Sequence, residues 1–141
     1  MNAEIFVYGT LKRGECRQAC WPRPPLRVDN AFVRGLLYDL GPYPALVPGD
    51  DWVMGEVWTI AAADRTSTLA VLDEIEGYDP DGKYNLYDRV ELEWYGTPGA
   101  DRSEGRAMAY HFARRRGLLK LRPMKARVIE GYDSPVVVWP G

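Results

Sequence analysis

Glu76 is the residue whose position in the sequence most requires a chemical explanation. The stretch Ala61 to Gly77 reads as a helix, with Asp64 or Thr66 available to cap its start and Gly77 just beyond its end. At about 100° per residue, Val71, Leu72 and Ile75 form one apolar stripe, with Leu69 at its margin. Glu76 projects between Leu69 and Leu72, whereas Glu74 points well away. A carboxylate among apolar side chains is desolvated, which raises its pKa towards the range where it can take up and return a proton near neutrality. A helix-end glutamate paired with a cation such as Arg89 is the alternative, and periodicity leaves both readings open.

The other candidates for chemistry are few. Ser67, Ser103 and Ser134 are the only serines, all in cap or loop positions without the context of a nucleophile elbow. The one histidine, His111, falls in the middle of a strand, so a Ser-His-Asp triad is hard to build. Cys16 and Cys20 lie four residues apart, and with a single histidine they make a poor zinc site, so they read as reduced thiols. No metal or cofactor is expected. An enzyme with this inventory would work without a nucleophile of its own.

A second feature is the stretch Phe6-Val7-Tyr8-Gly9-Thr10-Leu11-Lys12-Arg13-Gly14, in which an apolar strand runs into a loop bounded by glycines. Such a junction can bring successive backbone N–H groups to face an anionic ligand. The spacing Gly9-x-x-x-x-Gly14 matches the first half of a phosphate-binding P-loop. Glu15-Cys16 then replaces the Lys-Ser/Thr that would hold phosphate and magnesium, which argues against a nucleotide triphosphatase. A purely structural turn is the alternative for the glycine pair.

These residues must be positioned by a scaffold of modest size. With 141 residues the chain reads as one domain, residues 1–141, and 46% hydrophobic with 27% charged residues is an ordinary globular composition. A net charge of −2 gives no overall attraction to nucleic acid or to anionic membrane. No apolar run has the length needed to span a bilayer, and Met1-Asn2-Ala3-Glu4 carries no secretory pattern, so the expected location is the cytoplasm. Arg114-Arg115-Arg116 could suggest RNA, but no basic face interleaved with aromatics accompanies it.

Eleven prolines and fourteen glycines predict many turns and short strands. Ile5–Tyr8 reads as a buried strand, and Arg27–Tyr38 as one or two strands with a bulge or bend at Gly35. A dense turn signal at Asp39–Pro44 precedes a short strand at Ala45–Val47, and Trp52–Ile60 follows as a strand interrupted at Gly55. Tyr87–Tyr95 alternates, with Val90, Leu92 and Trp94 on one face and Tyr87, Arg89, Glu91 and Glu93 on the other. Arg106–Ala113 returns with Met108, Tyr110 and Phe112 on one side. Six or seven short strands and one good helix predict an α+β fold dominated by a curled sheet or small barrel.

Taken together, four blocks resemble the gamma-glutamylcyclotransferase-like family, which includes AIG2-like proteins and gamma-glutamylamine cyclotransferases. They are Val7–Gly14, Leu40-Gly41-Pro42-Tyr43-Pro44-Ala45-Leu46, Val53-Met54-Gly55-Glu56-Val57-Trp58, and Leu72–Tyr78 followed by Tyr87-Asp88-Arg89. The resemblance runs from about residue 4 to about residue 113, with Gly131-Tyr132 echoing a terminal Gly-aromatic pair.

The resemblance implies a small mixed β-barrel with flanking helices, a small gamma-glutamyl substrate and no cofactor. Glu76 matches the family's catalytic acid/base, and Tyr8, Gly9, Thr10 and Leu11 match the loop whose amides hold the gamma-glutamyl group. Tyr87 and Arg89 would brace Glu76 or the adjoining wall of the substrate site. The implied reaction is attack of the substrate's own α-amine on its γ-carbonyl, giving 5-oxoproline and a free amine or amino acid. Glu15-Cys16-Arg17 departs from the Asn or His found in many relatives just after the loop, at the place where the leaving group would be contacted. A non-catalytic module binding a small gamma-glutamyl-like anion is the alternative function.

Overall fold

The computed structural model describes residues 1–141. Five strands form one mixed sheet: β1 (Ala3–Val7), β2 (Arg27–Asp39), β3 (Pro44–Ile60), β4 (Tyr87–Trp94) and β5 (Gly105–Phe112), in the order β2-β3-β1-β5-β4. β1 is central, antiparallel to β3 and parallel to β5. A strand in that place is covered on both faces. Its unbroken apolar run follows from this: Ile5 and Val7 enter one core, and Phe6 with the following Tyr8 enters the other.

The expected barrel of six or seven strands is not what forms. The sheet has five strands and does not close; β2 and the residue after β4 meet only at the Phe32–Tyr95 bridge. Two of the short strands read from the sequence are halves of β3. Across the β2–β3 ladder the pairing passes from Gly35↔Asp51 to Leu36↔Val47, so Pro48, Gly49 and Asp50 are extruded as a bulge without ending the strand. Gly55 leaves the ladder unbroken, paired with Ala31. The tail around Val136-Val137 is buried against β3 through the Val53–Val137 bridge, outside any named strand.

Strand alternation holds where it was expected. Tyr110 and Phe112 of β5 join the core that contains Ile5 and Val7, with Met108 packed against it. On β4, Tyr87 enters that same core while Val90, Leu92 and Trp94 face the second one.

The single α-helix, α1 (Arg65–Glu76), covers the Ile5–Val7 face. Its buried residues are Thr68, Leu69 and Leu72, so the inward face centres slightly further round than the Val71–Ile75 stripe would place it. Burying the two leucines contributes about 1.5–3 kcal/mol each. Asp64 occupies the N-cap position but makes no side-chain capping bond; the Ser67 hydroxyl donates to its carbonyl instead. At the other end Gly77 adopts φ +66°, which an L side chain resists. This turn lets Tyr78 N–H reach back to the Asp73 carbonyl at 2.8 Å and fixes the last helical turn, which carries Glu76.

Candidate active site

The end of β1, the loop that follows it and the last turn of α1 enclose a cavity. Tyr8, Gly9, Thr10, Leu11, Tyr87 and Glu76 all line it, so the structure brings together six of the seven residues singled out in the sequence. Pro44, Tyr110 and Arg17 complete the walls that matter here. Arg89 is absent from the lining.

The loop is held in place by groups that the sequence reading left without a role. Glu56 on β3 is buried and accepts three hydrogen bonds, from Arg13 N–H and Arg13 Nε at 2.9 Å each and from Trp58 Nε1 at 3.1 Å. Lys12 Nζ donates to the Trp139 carbonyl. Both loop cations therefore serve as anchors. Trp21 Nε1 donates to the Leu11 carbonyl at 2.9 Å, and its ring stacks on Trp58 at 4.2 Å between centroids. Gly9 is required by close approach, because a Cβ there would stand 2.7 Å from Pro44 Cδ.

Within this frame the N–H groups of Tyr8, Gly9, Thr10 and Leu11 donate to no protein acceptor. The Thr10 carbonyl is used, accepting from Arg17 N–H at 2.8 Å. Buried amides left without partners are costly, so a run of them beside a cavity is a ready site for an anionic or carbonyl oxygen.

The Tyr8 hydroxyl donates to the Tyr110 carbonyl at 2.6 Å, which ties the start of the loop to β5. The Tyr87 hydroxyl donates to the Pro44 carbonyl at 2.6 Å, which ties β4 to the first residue of β3. Burial raises the pKa of both phenols, and the nearby Glu76 adds to the effect, so each remains a neutral donor.

Glu76 has no ion pair or hydrogen bond to another side chain; the four salt bridges of the molecule involve other carboxylates. Burial pushes its carboxyl up to about 7, and the Arg17 charge opposes the rise. Arg89 does not pair with it. The Arg89 guanidinium instead meets Asp73 at 2.7 Å, and the other Asp73 oxygen accepts from the Tyr110 hydroxyl at 2.7 Å. Arg89 thus braces a wall of the cavity through Asp73 and Tyr110.

Asp73 and Glu56 are the positions that sequence reasoning missed. Asp73 lies three residues before Glu76 on the same helix, a spacing that could have marked it. Glu56, an acid within an apolar strand, was visible as an anomaly, but only the fold reveals Arg13 as its partner. His111 does not line the cavity; it lies opposite Asp88 in the β4–β5 ladder, its Nε2 buried without a partner. Cys16 and Cys20 are exposed free thiols. Arg115 and Arg116 are exposed in a short 3-10 turn. No helix is long and apolar enough to cross a membrane.

An α+β fold of one mixed sheet with a covering helix, in which an unpaired carboxylate and a loop of free amides line one cavity, defines the class. The chain belongs to the gamma-glutamyl cyclotransferase, AIG2-like family, whose model matches residues 5–130. It is similar to the gamma-L-glutamyl-butirosin B gamma-glutamyl cyclotransferase of Niallia circulans, 35% identical over 91 residues covering 63% of this chain and 56% of that protein. It is also similar to the gamma-glutamylcyclotransferase family protein YtfP of Escherichia coli K12, 39% identical over 71 residues covering 50% of this chain and 59% of that one. The chain therefore spans little more than half the length of these curated relatives. Among solved structures it resembles an AIG2-like protein from Mus musculus, with 25% identity and a TM-score of 0.60 over 79% of this chain and 78% of that one.

Proposed function

We propose that this chain is a gamma-glutamyl cyclotransferase in which Glu76 is the proton shuttle and the Tyr8–Leu11 loop is the cradle. The observation that carries this reading is the unpaired Glu76 carboxyl, raised to about 7, lining the same cavity as four backbone amides that have no protein partner.

The chemistry needs little from the protein. The substrate's α-amine is the nucleophile, and closing a five-membered ring is favoured by proximity. Glu76 takes a proton from the α-ammonium, and the freed nitrogen lone pair attacks the γ-carbonyl carbon. The resulting tetrahedral oxyanion and the α-carboxylate are both species that loop amides can stabilise without a charged side chain. Glu76 then gives that proton to the departing nitrogen and takes the second proton from the ring nitrogen as the bond to the γ-carbon breaks, releasing 5-oxoproline and the amine. The carboxyl finally gives up its proton to solvent or to the free amine. One carboxyl with a pKa near neutrality performs both transfers in turn. Tyr8 and Tyr87 keep the walls fixed, and Arg89 supports the Tyr110 wall through Asp73.

The test is release of 5-oxoproline from a panel of gamma-glutamyl amino acids and gamma-glutamyl amines, with the Glu76→Gln protein alongside. Turnover by the natural chain and its loss in the variant support the assignment. Binding of the panel without turnover supports a non-catalytic module, and undiminished turnover in Glu76→Gln removes the proposed mechanism.

A further inference from the structure

Arg17 is the one cationic side chain lining the cavity. It is partly buried, and its guanidinium makes no hydrogen bond or ion pair within the protein, unlike the neighbouring Arg13, which is held by Glu56. Its backbone is fixed relative to the cradle, because Arg17 N–H donates to the Thr10 carbonyl at 2.8 Å. A guanidinium without a protein acceptor, on a residue that lines the cavity and whose backbone is fixed, is a site for a planar carboxylate, which it can meet with two parallel N–H bonds.

The cavity already has donors for the gamma-glutamyl end of a substrate in the free amides of Tyr8–Leu11. Ile75 and Leu86, with the ring of Tyr43, also line the cavity and offer apolar surface that suits the side chain of a leaving group. We infer that Arg17 binds a carboxylate on the leaving group, so that the preferred substrates are gamma-glutamyl adducts of apolar amino acids rather than of simple amines or polyamines. This rests on the proposed cyclotransferase reading. A cationic leaving group would be disfavoured by repulsion from Arg17, and Ile75 and Leu86 offer it no hydrogen-bond partner.

The test compares three substrates: gamma-glutamyl-leucine, its neutral twin gamma-glutamyl-leucinamide, and the cationic gamma-glutamyl-1,5-diaminopentane. The natural chain is expected to favour gamma-glutamyl-leucine over the amide by about 10- to 100-fold in kcat/KM, mostly through KM, the size of one charge-assisted pair. Arg17→Gln should bring that ratio close to one, over and above a change common to all three substrates that follows from the loss of the Arg17 charge beside Glu76, and Arg17→Lys should retain part of the ratio. A ratio near one in the natural chain overturns the inference. So does an equal loss on all three substrates in Arg17→Gln, because Arg17 would then hold the common gamma-glutamyl end or act only through Glu76. Absence of 5-oxoproline from all three would instead defeat the cyclotransferase reading. The same acid-to-amide ratio, measured as Kd by calorimetry, would still decide whether Arg17 selects a carboxylate.

Discussion

Arg89 closes on Asp73 at 2.7 Å, one helical turn before Glu76, and leaves the Glu76 carboxylate without a cationic partner of its own. This relationship separates two duties that one ion pair would otherwise merge. Asp73 collects the Arg89 charge and the Tyr110 hydroxyl and so stiffens the cavity wall. Glu76 keeps the raised pKa that a direct pair with Arg89 would have lowered.

Removing Arg89 should therefore weaken the fold while leaving the proton chemistry in place. Arg89→Met leaves the partly buried Asp73 with only Tyr110, and a loss of about 1.5–3 kcal/mol is expected in urea unfolding. Its pH–rate inflection should stay where the natural chain has it. A downward-displaced inflection on adding Arg89 back would mean that Arg89 acts on Glu76 directly.

Much of this was legible in the sequence, and the parts that were not share a cause. The Ile5–Tyr8 run, the Gly77 stop and the placement of Glu76 beside Leu72 are local patterns, set by strand and helix periodicity within a few residues. The register shift at Gly35 was readable as a bulge, but that β3 continues through Pro48–Asp50 depends on its pairing with β2. Long-range pairing also decides between an open five-stranded sheet and a barrel. The same limit applies to charges: Arg89 is three residues closer in sequence to Glu76 than to Asp73, and helix geometry places both acids within plausible reach. Only the packed strand β4 selects Asp73. Glu56 finds Arg13 across 43 residues, a distance no spacing rule covers.

The Glu56 clamp yields a prediction about the loop. Glu56 is buried and holds Arg13 twice, so Glu56→Ala leaves Arg13 N–H and Trp58 Nε1 without their acceptor. The expected cost is about 2–3 kcal/mol in stability, from the loss of hydrogen bonds to a charged group. Activity should fall chiefly through a higher KM, because the cradle loses its anchor while Glu76 is untouched. Steady-state kinetics with urea midpoints measured on the same samples separate the two effects.

Gly9→Ala tests the cradle by sterics alone. The added Cβ would stand 2.7 Å from Pro44 Cδ, closer than side-chain carbons tolerate, so the loop or the start of β3 must move. A displacement of about 1 Å at a binding loop can cost about 100-fold in rate. The expected result is a loss of kcat/KM of that order with a melting temperature lowered only slightly. Activity near that of the natural chain would mean that the loop amides do not hold the substrate.

The raised Glu76 pKa makes a linked prediction for rate and stability. In the proposed mechanism Glu76 acts as a base and must be ionised in the free protein, so kcat/KM should rise with pH through an inflection near 7. The stability effect has the opposite slope. The carboxyl titrates at about 7 when folded against an ordinary 4.5, so its contribution to stability is fully present below 4.5 and is lost as pH climbs through 7. That difference corresponds to about 3 kcal/mol by pH 8. Glu76→Gln, which carries no charge at any pH, should match the natural chain in urea at pH 4.5 and exceed it at pH 8. His111, whose pKa burial lowers, is common to both proteins and cancels in the comparison. A variant that is inactive yet more stable at pH 8 would place the cost of the buried carboxylate at the residue that needs it for proton transfer. Equal midpoints at both pH values would mean that Glu76 is solvated like an ordinary surface glutamate, and the shuttle would then have to be sought elsewhere in the cavity.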